Sequence, residues 1–201
     1  MARKTRPWYP GAVYHIMARG NHQQDIVGDE SDFEVLLEML KRTSLRYGTS
    51  IHSFCLMTNH YHLLIETTDE PVWKIMKQLN QHYAEYFNSK HQCVGHLFQD
   101  RYRSALVKDT PYFLSASRYI HLNPVKARMV DYPQAYRWSS YGSFVGTDRL
   151  NFVVTDKVLG CFQDPQVLRY RDFVEGELLA TNREFAQSNV HFGDEAEWLP
   201  W

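Results

Sequence analysis

A chain of 201 residues is at the upper end of what one hydrophobic core serves, so a single domain with an appendage is expected rather than two large independent domains. Hydrophobic residues at 44% and charged residues at 22% exclude a disordered chain, a collagen-like fibre and a coiled coil along the whole length. A formal net charge of -1, from 22 basic and 23 acidic side chains, argues as an average against a strongly basic nucleic-acid binder.

After the turn Pro10-Gly11, residues 12–19 (AVYHIMAR) are rich in strand formers and end at Gly20-Asn21, which predicts a first strand. Ser31 and Glu34 form a capping-box pattern, and Phe33, Leu36, Leu37, Leu40 and Leu45 follow at helical spacing until Gly48. Residues 50–57 and 60–66 are two β-type runs joined by Thr58-Asn59, a tight antiparallel hairpin. Pro71 opens a second helix, with Val72, Ile75, Met76, Leu79, Tyr83, Tyr86 and Phe87 as its apolar stripe and an end between His91 and Gly95. Residues 97–107 hold a fourth strand, alternating from Arg101 to Val107 with Arg101 and Arg103 on one face. A third helix starts at Asp109-Thr110-Pro111 and is expected to stop by Asn123, because Pro124 disfavours helix at the preceding residue. The order is that of an α+β, ferredoxin-like β-α-β-β-α-β sandwich with an added helix. A domain of residues 1–145 would then be followed by an acidic, mostly helical appendage over 146–201, ending with Asp194, Glu195, Glu197, Trp198 and Trp201.

Three cysteines without a C-x-x-C spacing suggest neither a disulfide framework nor a cysteine zinc site, and suit a reducing cytosol. No stretch reaches the roughly 18 apolar residues of a membrane span, and the basic start lacks a signal-peptide core. A cytoplasmic protein with no membrane partner is expected.

His60 and His62 flank Tyr61 on a strand, and a period of two puts both imidazoles on one face with Cα atoms about 6–7 Å apart. They suit a divalent metal, or equally two half-buried histidines bonded to backbone. A third donor would have to come from another element. On the third helix Tyr119 and Asn123 are four residues apart and share a face, with the Asn123 amide free to reach a metal. Two imidazoles and an amide oxygen, with no thiolate, suit Mg²⁺ or Mn²⁺ bridging a phosphate, and a tyrosine beside such a metal is a candidate nucleophile. The bland alternative packs Tyr119 beside Ile120 in the core. Arg101, Arg103, Lys108, Arg118, Lys126 and Arg128, interleaved with Tyr102, Tyr112 and Phe113, suit single-stranded nucleic acid or form an ordinary solvated face. Arg3, Lys4 and Arg6 with Trp8 and Tyr9 make a smaller cluster of that kind.

The segments PGAVYHIMARGN (10–21), MTNHYHLLIE (57–66), GHLFQDRYRSALV (95–107), RYIHLNPVKARMV (118–130) and YRWSSY (136–141) resemble the REP-associated tyrosine transposases. These are single-tyrosine members of the HUH endonucleases, and the resemblance runs in order from about residue 10 to 145. It implies a metal-dependent nuclease and strand transferase acting on single-stranded DNA near hairpins formed by palindromic repeats, as a monomer or a homodimer. It also implies that His60 and His62 are the metal pair, that Asn123 is a third metal contact where related transposases use Gln, and that Tyr119 takes the 5′ phosphate and releases a 3′ hydroxyl. A phosphotyrosine link keeps the energy of the broken bond, in keeping with the lack of a nucleotide-binding phosphate loop. Two rivals are a nucleic-acid-binding regulator on the same fold without turnover and a small zinc hydrolase using the same histidines.

The net charge hides a division. Residues 1–128 carry 16 basic and 12 acidic side chains and residues 129–201 carry 6 and 11, while 90–128 alone carry 7 and 2. Near-neutrality is therefore a basic catalytic region offset by an acidic C-terminal third.

Overall fold

The computed structural model describes residues 8–187, with side chains as far as residue 176. The basic residues at 3–6 and the acidic cluster at 194–201 lie outside the described residues. Four strands, β1 (Val13–Arg19), β2 (Ser50–Leu56), β3 (His60–Glu66) and β4 (Arg103–Leu106), form one antiparallel sheet in the order β2-β3-β1-β4. Helix α1 (Glu30–Tyr47) joins β1 to β2, and α2 (Val72–His91) joins β3 to β4, which is the expected ferredoxin-like arrangement. Strand alternation then divides the side chains between two faces. Tyr14, Ile16, Ala18, Tyr61, Leu63 and Ile65 point toward α1 and α2, where they meet Phe33, Leu36, Leu40, Ile75, Met76, Leu79 and Tyr83 in one core.

The added helix α3 (Thr110–Lys126) covers the other face on the β2 and β3 side, so a third layer joins the two expected. There Val13 and Leu64 pack with Phe113, Ala116, Ile120 and Leu122. Short helices α4 (Tyr141–Val145) and α5 (Asp156–Leu159) and the long α6 (Gln166–Gln187) follow, and Tyr141, Phe144, Val158, Tyr170 and Val174 enter the same core.

A buried chain of hydrogen bonds crosses this layer. Ser140 Oγ gives its proton to the Phe54 carbonyl at 3.3 Å, so it accepts from His121 Nε2 at 2.8 Å. His121 is buried and held neutral, its pKa lowered to about 3, so Nδ1 accepts from the Tyr170 hydroxyl at 2.6 Å. The Tyr170 oxygen in turn accepts from Ser117 Oγ at 2.7 Å, and Ser117 from Ser53 Oγ at 2.8 Å. One direction of donation satisfies every group, from β2 through α3 and α6 to the start of α4.

Three local expectations change. The α1 cap lies two residues earlier: Asp29 caps the helix, accepting from the Ser31 and Asp32 amides, and Asp32 rather than Glu34 completes the box. The earlier pair wins because Lys90 and His91, at the end of α2, reach the same carboxylates. Strand β4 is shorter than predicted, and Arg101 lies in the loop before it. Helix α3 does not stop at Asn123 but runs through Pro124 to Lys126. The missing N–H costs only one bond in the last turn, while Ala127 N still donates to the Asn123 carbonyl at 2.9 Å and Met129 N to that of Pro124 at 2.9 Å. Asn123 is therefore held in regular helix, one turn from Tyr119.

Asp32 is wholly buried and accepts from Gly28 N at 2.7 Å, Lys90 Nζ at 2.8 Å, His91 Nε2 at 2.8 Å and Tyr86 Oη at 3.0 Å. Burial opposes its charge, yet these donors outweigh burial and hold the carboxyl well below the usual range. A depressed carboxyl stabilises the fold above its unfolded pKa, near pH 4, and that stability is lost as pH falls toward the folded value. Asp32→Asn is expected to cost about 2–3 kcal/mol at pH 7. Urea unfolding of both proteins should show the gap narrowing between pH 4 and pH 3.

Candidate active site

The register of β1 against β3 sets the site. His60 and His62 alternate with the core residues Tyr61 and Leu63 and therefore face the α3 side. Arg19 stands opposite His60 and Met17 opposite His62 in the same antiparallel ladder, so their side chains share that face. The two imidazole rings lie 5.0 Å apart between centroids.

The hydrogen bonds fix the protons. Burial lowers the pKa of both histidines and at His60 outweighs the opposing contact with Asn123, so each ring is neutral and carries one proton. Asn59 Nδ2 donates to the Gln23 carbonyl at 3.3 Å, which turns its Oδ1 to His60 Nδ1 at 2.7 Å. The His60 proton is therefore on Nδ1, and Nε2 presents a lone pair to Asn123 Oδ1, 3.1 Å away. Neighbouring donors about 2.1 Å from an octahedral ion are themselves separated by about 3.0 Å. On the second ring, Nδ1 is 3.2 Å from His15 Nε2, while Nε2 is buried and has no hydrogen-bond partner. These donors fit a divalent cation held by His60 Nε2, His62 Nε2 and Asn123 Oδ1. Among the described residues no three His, Cys, Asp or Glu side chains converge for a metal, so a third donor beside the two imidazoles would have to be the amide, a set poor for a zinc hydrolase.

Tyr119 is half-buried, its ring edge-on to His62 at 5.3 Å and to His15 at 5.8 Å. Burial raises its pKa, and a side-chain hydrogen bond with Asn123 works in the opposite direction. Lys126 Nζ sits 5.5 Å from the ring centroid. The spacing of four along α3 thus places the phenol and the amide together against the histidine pair.

The basic residues divide. Arg101 and Arg103 line a cleft of about 200 Å³ with Met17, Arg19, Gln99 and Asp100. Lys126 stands over Tyr119. Arg118 instead stacks on Phe173 of α6 at 4.6 Å. Lys108 and Arg128 are exposed beyond the two ends of α3. Two residues that matter to this geometry, His15 and Arg19, were not singled out from the sequence. Their only signal was that His15, Met17 and Arg19 recur with a period of two on β1, which does not reveal which strand they meet.

No curated protein matches this sequence. Among solved structures, a REP-associated tyrosine transposase bound to a REP hairpin has a TM-score of 0.62 at 14% identity, covering 79% of this chain and 93% of that one, which shows the shared fold. A crystal structure of a Deinococcus radiodurans protein assigned as a transposase has a TM-score of 0.43 at 19% identity, over 55% of this chain and 90% of that one. Residues 9–123 match the family described as transposase IS200 like, from the start of the sheet to the last side chain of the proposed metal set. With more than half of its length matched, the chain belongs to the IS200-like transposase family.

Proposed function

We propose that this transposase cleaves and rejoins single-stranded DNA beside a palindromic hairpin, with Tyr119 as nucleophile and His60, His62 and Asn123 holding Mg²⁺ or Mn²⁺. The observation that carries this reading is the convergence of a half-buried tyrosine, an amide oxygen and two imidazole lone pairs, one of them buried without a partner, on one point of a single chain. A divalent ion held by His60, His62 and Asn123 would supply positive charge that favours attack at phosphorus. The Tyr119 oxygen forms a bond to the phosphorus as its proton passes to water, and the P–O bond to the 3′ carbon breaks. The departing 3′ oxygen takes up a proton, and the 5′ phosphate remains on the tyrosine. Attack by another 3′ hydroxyl reverses the step and rejoins the strand. Asn123 contacts both the phenol and His60, which keeps the nucleophile in register with the metal donors. Lys126, beside the ring, offers charge to the phosphate as it arrives.

His15 is a positioning residue in this scheme. With the His62 lone pair on Nε2, its Nδ1 proton is donated to His15 Nε2, which fixes the tautomer and the ring plane. His15→Phe is expected to weaken Mn²⁺ binding by about 10–100-fold, read by calorimetry without DNA. Equal affinity in the variant would remove His15 from the scheme.

The relative solved with a REP hairpin makes a DNA hairpin the first substrate to try. Incubation of the protein with Mn²⁺ and a labelled single-stranded oligonucleotide carrying such a hairpin should give a covalent protein–DNA adduct that survives denaturation. It should also give a free 3′ hydroxyl fragment, and chelation of the metal should abolish both. Hairpin binding without adduct under every metal condition would instead support a binding protein on this fold.

A further inference from the structure

Beside the metal-donor set, the sheet face holds a second feature that the reaction does not yet use. The cleft of about 200 Å³ is lined by Met17, Arg19, Gln99, Asp100, Arg101 and Arg103, three guanidinium groups against one carboxylate. Register places it next to the histidines: Arg19 pairs with His60 across β1 and β3, and Met17 pairs with His62 on one side and with Arg103 on the other. Helix α3 covers the β2 and β3 side of this face and leaves the β1 and β4 side open to the cleft.

The charges are left wanting an anion. Arg19 donates to Gln23 Oε1 at 3.1 Å, a neutral partner, and its Nε is buried with no hydrogen-bond acceptor. Arg101 and Arg103 are exposed and enter no ion pair among the described residues. By contrast, Lys90 meets the carboxylates of Asp29 and Asp32. A divalent ion at the neighbouring histidines would add further positive charge, and a polyanion would relieve both at once.

We infer that this arginine cleft is a phosphate subsite, holding a backbone phosphate of the single strand roughly one or two nucleotides from the one attacked, since the strands concerned are spaced about 4.8 Å apart. The inference rests on the transposase reading for the identity of the strand, but its test does not depend on cleavage. Guanidinium groups bind phosphate oxygens in pairs of hydrogen bonds, so the subsite sets the path of the strand across the sheet without reading its bases. It grips the strand before and during cleavage alike, so its loss raises KM and leaves kcat nearly unchanged.

The test uses the full chain without metal and a fluorescent oligothymidylate as probe, with affinity measured by anisotropy over a range of KCl concentrations. Arg103→Gln should weaken binding at least about fivefold and lower the salt slope by about 0.7, the value for one lost single-strand phosphate contact. Combined replacement of Arg19, Arg101 and Arg103 by Gln should lower the slope by about 1–2. Lys77→Gln, on exposed α2 and the opposite side of the sheet, should leave the slope unchanged. These arginines lie outside the core, so unchanged thermal melting will separate lost contacts from lost folding. A triple variant that melts like the parent and keeps its slope overturns the subsite, as does a Lys77→Gln effect of equal size. Failure of the parent to form an adduct with hairpin DNA overturns the transposase reading instead and leaves this binding comparison intact.

Discussion

Tyr119→Phe is expected to abolish the covalent protein–DNA adduct and to lower strand cleavage by about four orders of magnitude or more, the scale seen when a nucleophile is removed from a preorganised site. The substitution deletes one oxygen and keeps the ring, so the edge-on contacts with His62 and His15 and the cation over its face persist. The exchange also removes a hydroxyl that burial already disfavours ionising, so stability should change by less than about 1 kcal/mol. Metal binding depends on other atoms and should stay within a few-fold of the parent. Denaturing gels of the reaction with hairpin DNA and Mn²⁺ report the adduct, and calorimetry reports the metal. Adduct formation at the parental rate would move the nucleophile elsewhere.

The second large effect falls on a residue with no contact to the proposed reaction centre. Tyr170→Phe leaves the Ser117 hydroxyl without an acceptor and His121 Nδ1 without a donor, both in sites closed to water. Each stranded group costs about 1–3 kcal/mol, so a loss of about 3 kcal/mol is expected, and a fall in melting temperature of roughly 6–12 °C for a chain of this length. Ser117 and His121 bracket Tyr119 on α3, and the bonds they lose tie that helix to α6. Cleavage measured well below the melting temperature should therefore also fall, by about tenfold. A Tyr170→Phe protein that melts with the parent would contradict the hydrogen-bond chain. One that melts early but cleaves normally would separate stability from the setting of the helix.

What could be read from residues alone was whatever depends on local period. His60 and His62 share a face because a strand alternates, and Tyr119 and Asn123 share one because a helix repeats; both statements need only spacing. The ladder is another matter. His15 reaches His62, and Arg19 stands opposite His60, through a pairing register set by core packing on the opposite face of the sheet, where Tyr14 and Ile16 must match Ile65 and Leu63. Local rules also competed where tertiary contacts decided. Ser31 with Glu34 and Asp29 with Asp32 are both acceptable caps, and the choice fell to Lys90 and His91, some sixty residues away. Pro124 was expected to end α3, but one lost bond in a final turn is cheap when Leu122 and Asn123 are already buried. His121 gave no signal, since its partners Tyr170 and Ser140 come from segments where the apolar periodicity is weak.

The one-way hydrogen-bond chain from Ser53 to the Phe54 carbonyl bears on how many molecules take part in a turnover. A helix that lent its tyrosine to a neighbouring copy would have to swing away from its own sheet, breaking in sequence the links through Ser117 and His121 and exposing Ile120 and Leu122. In the proposed scheme Tyr119 then serves the histidines of its own chain, and strand cleavage is expected to be first order in protein. Dilution slows the encounter with DNA but leaves each bound molecule equally competent.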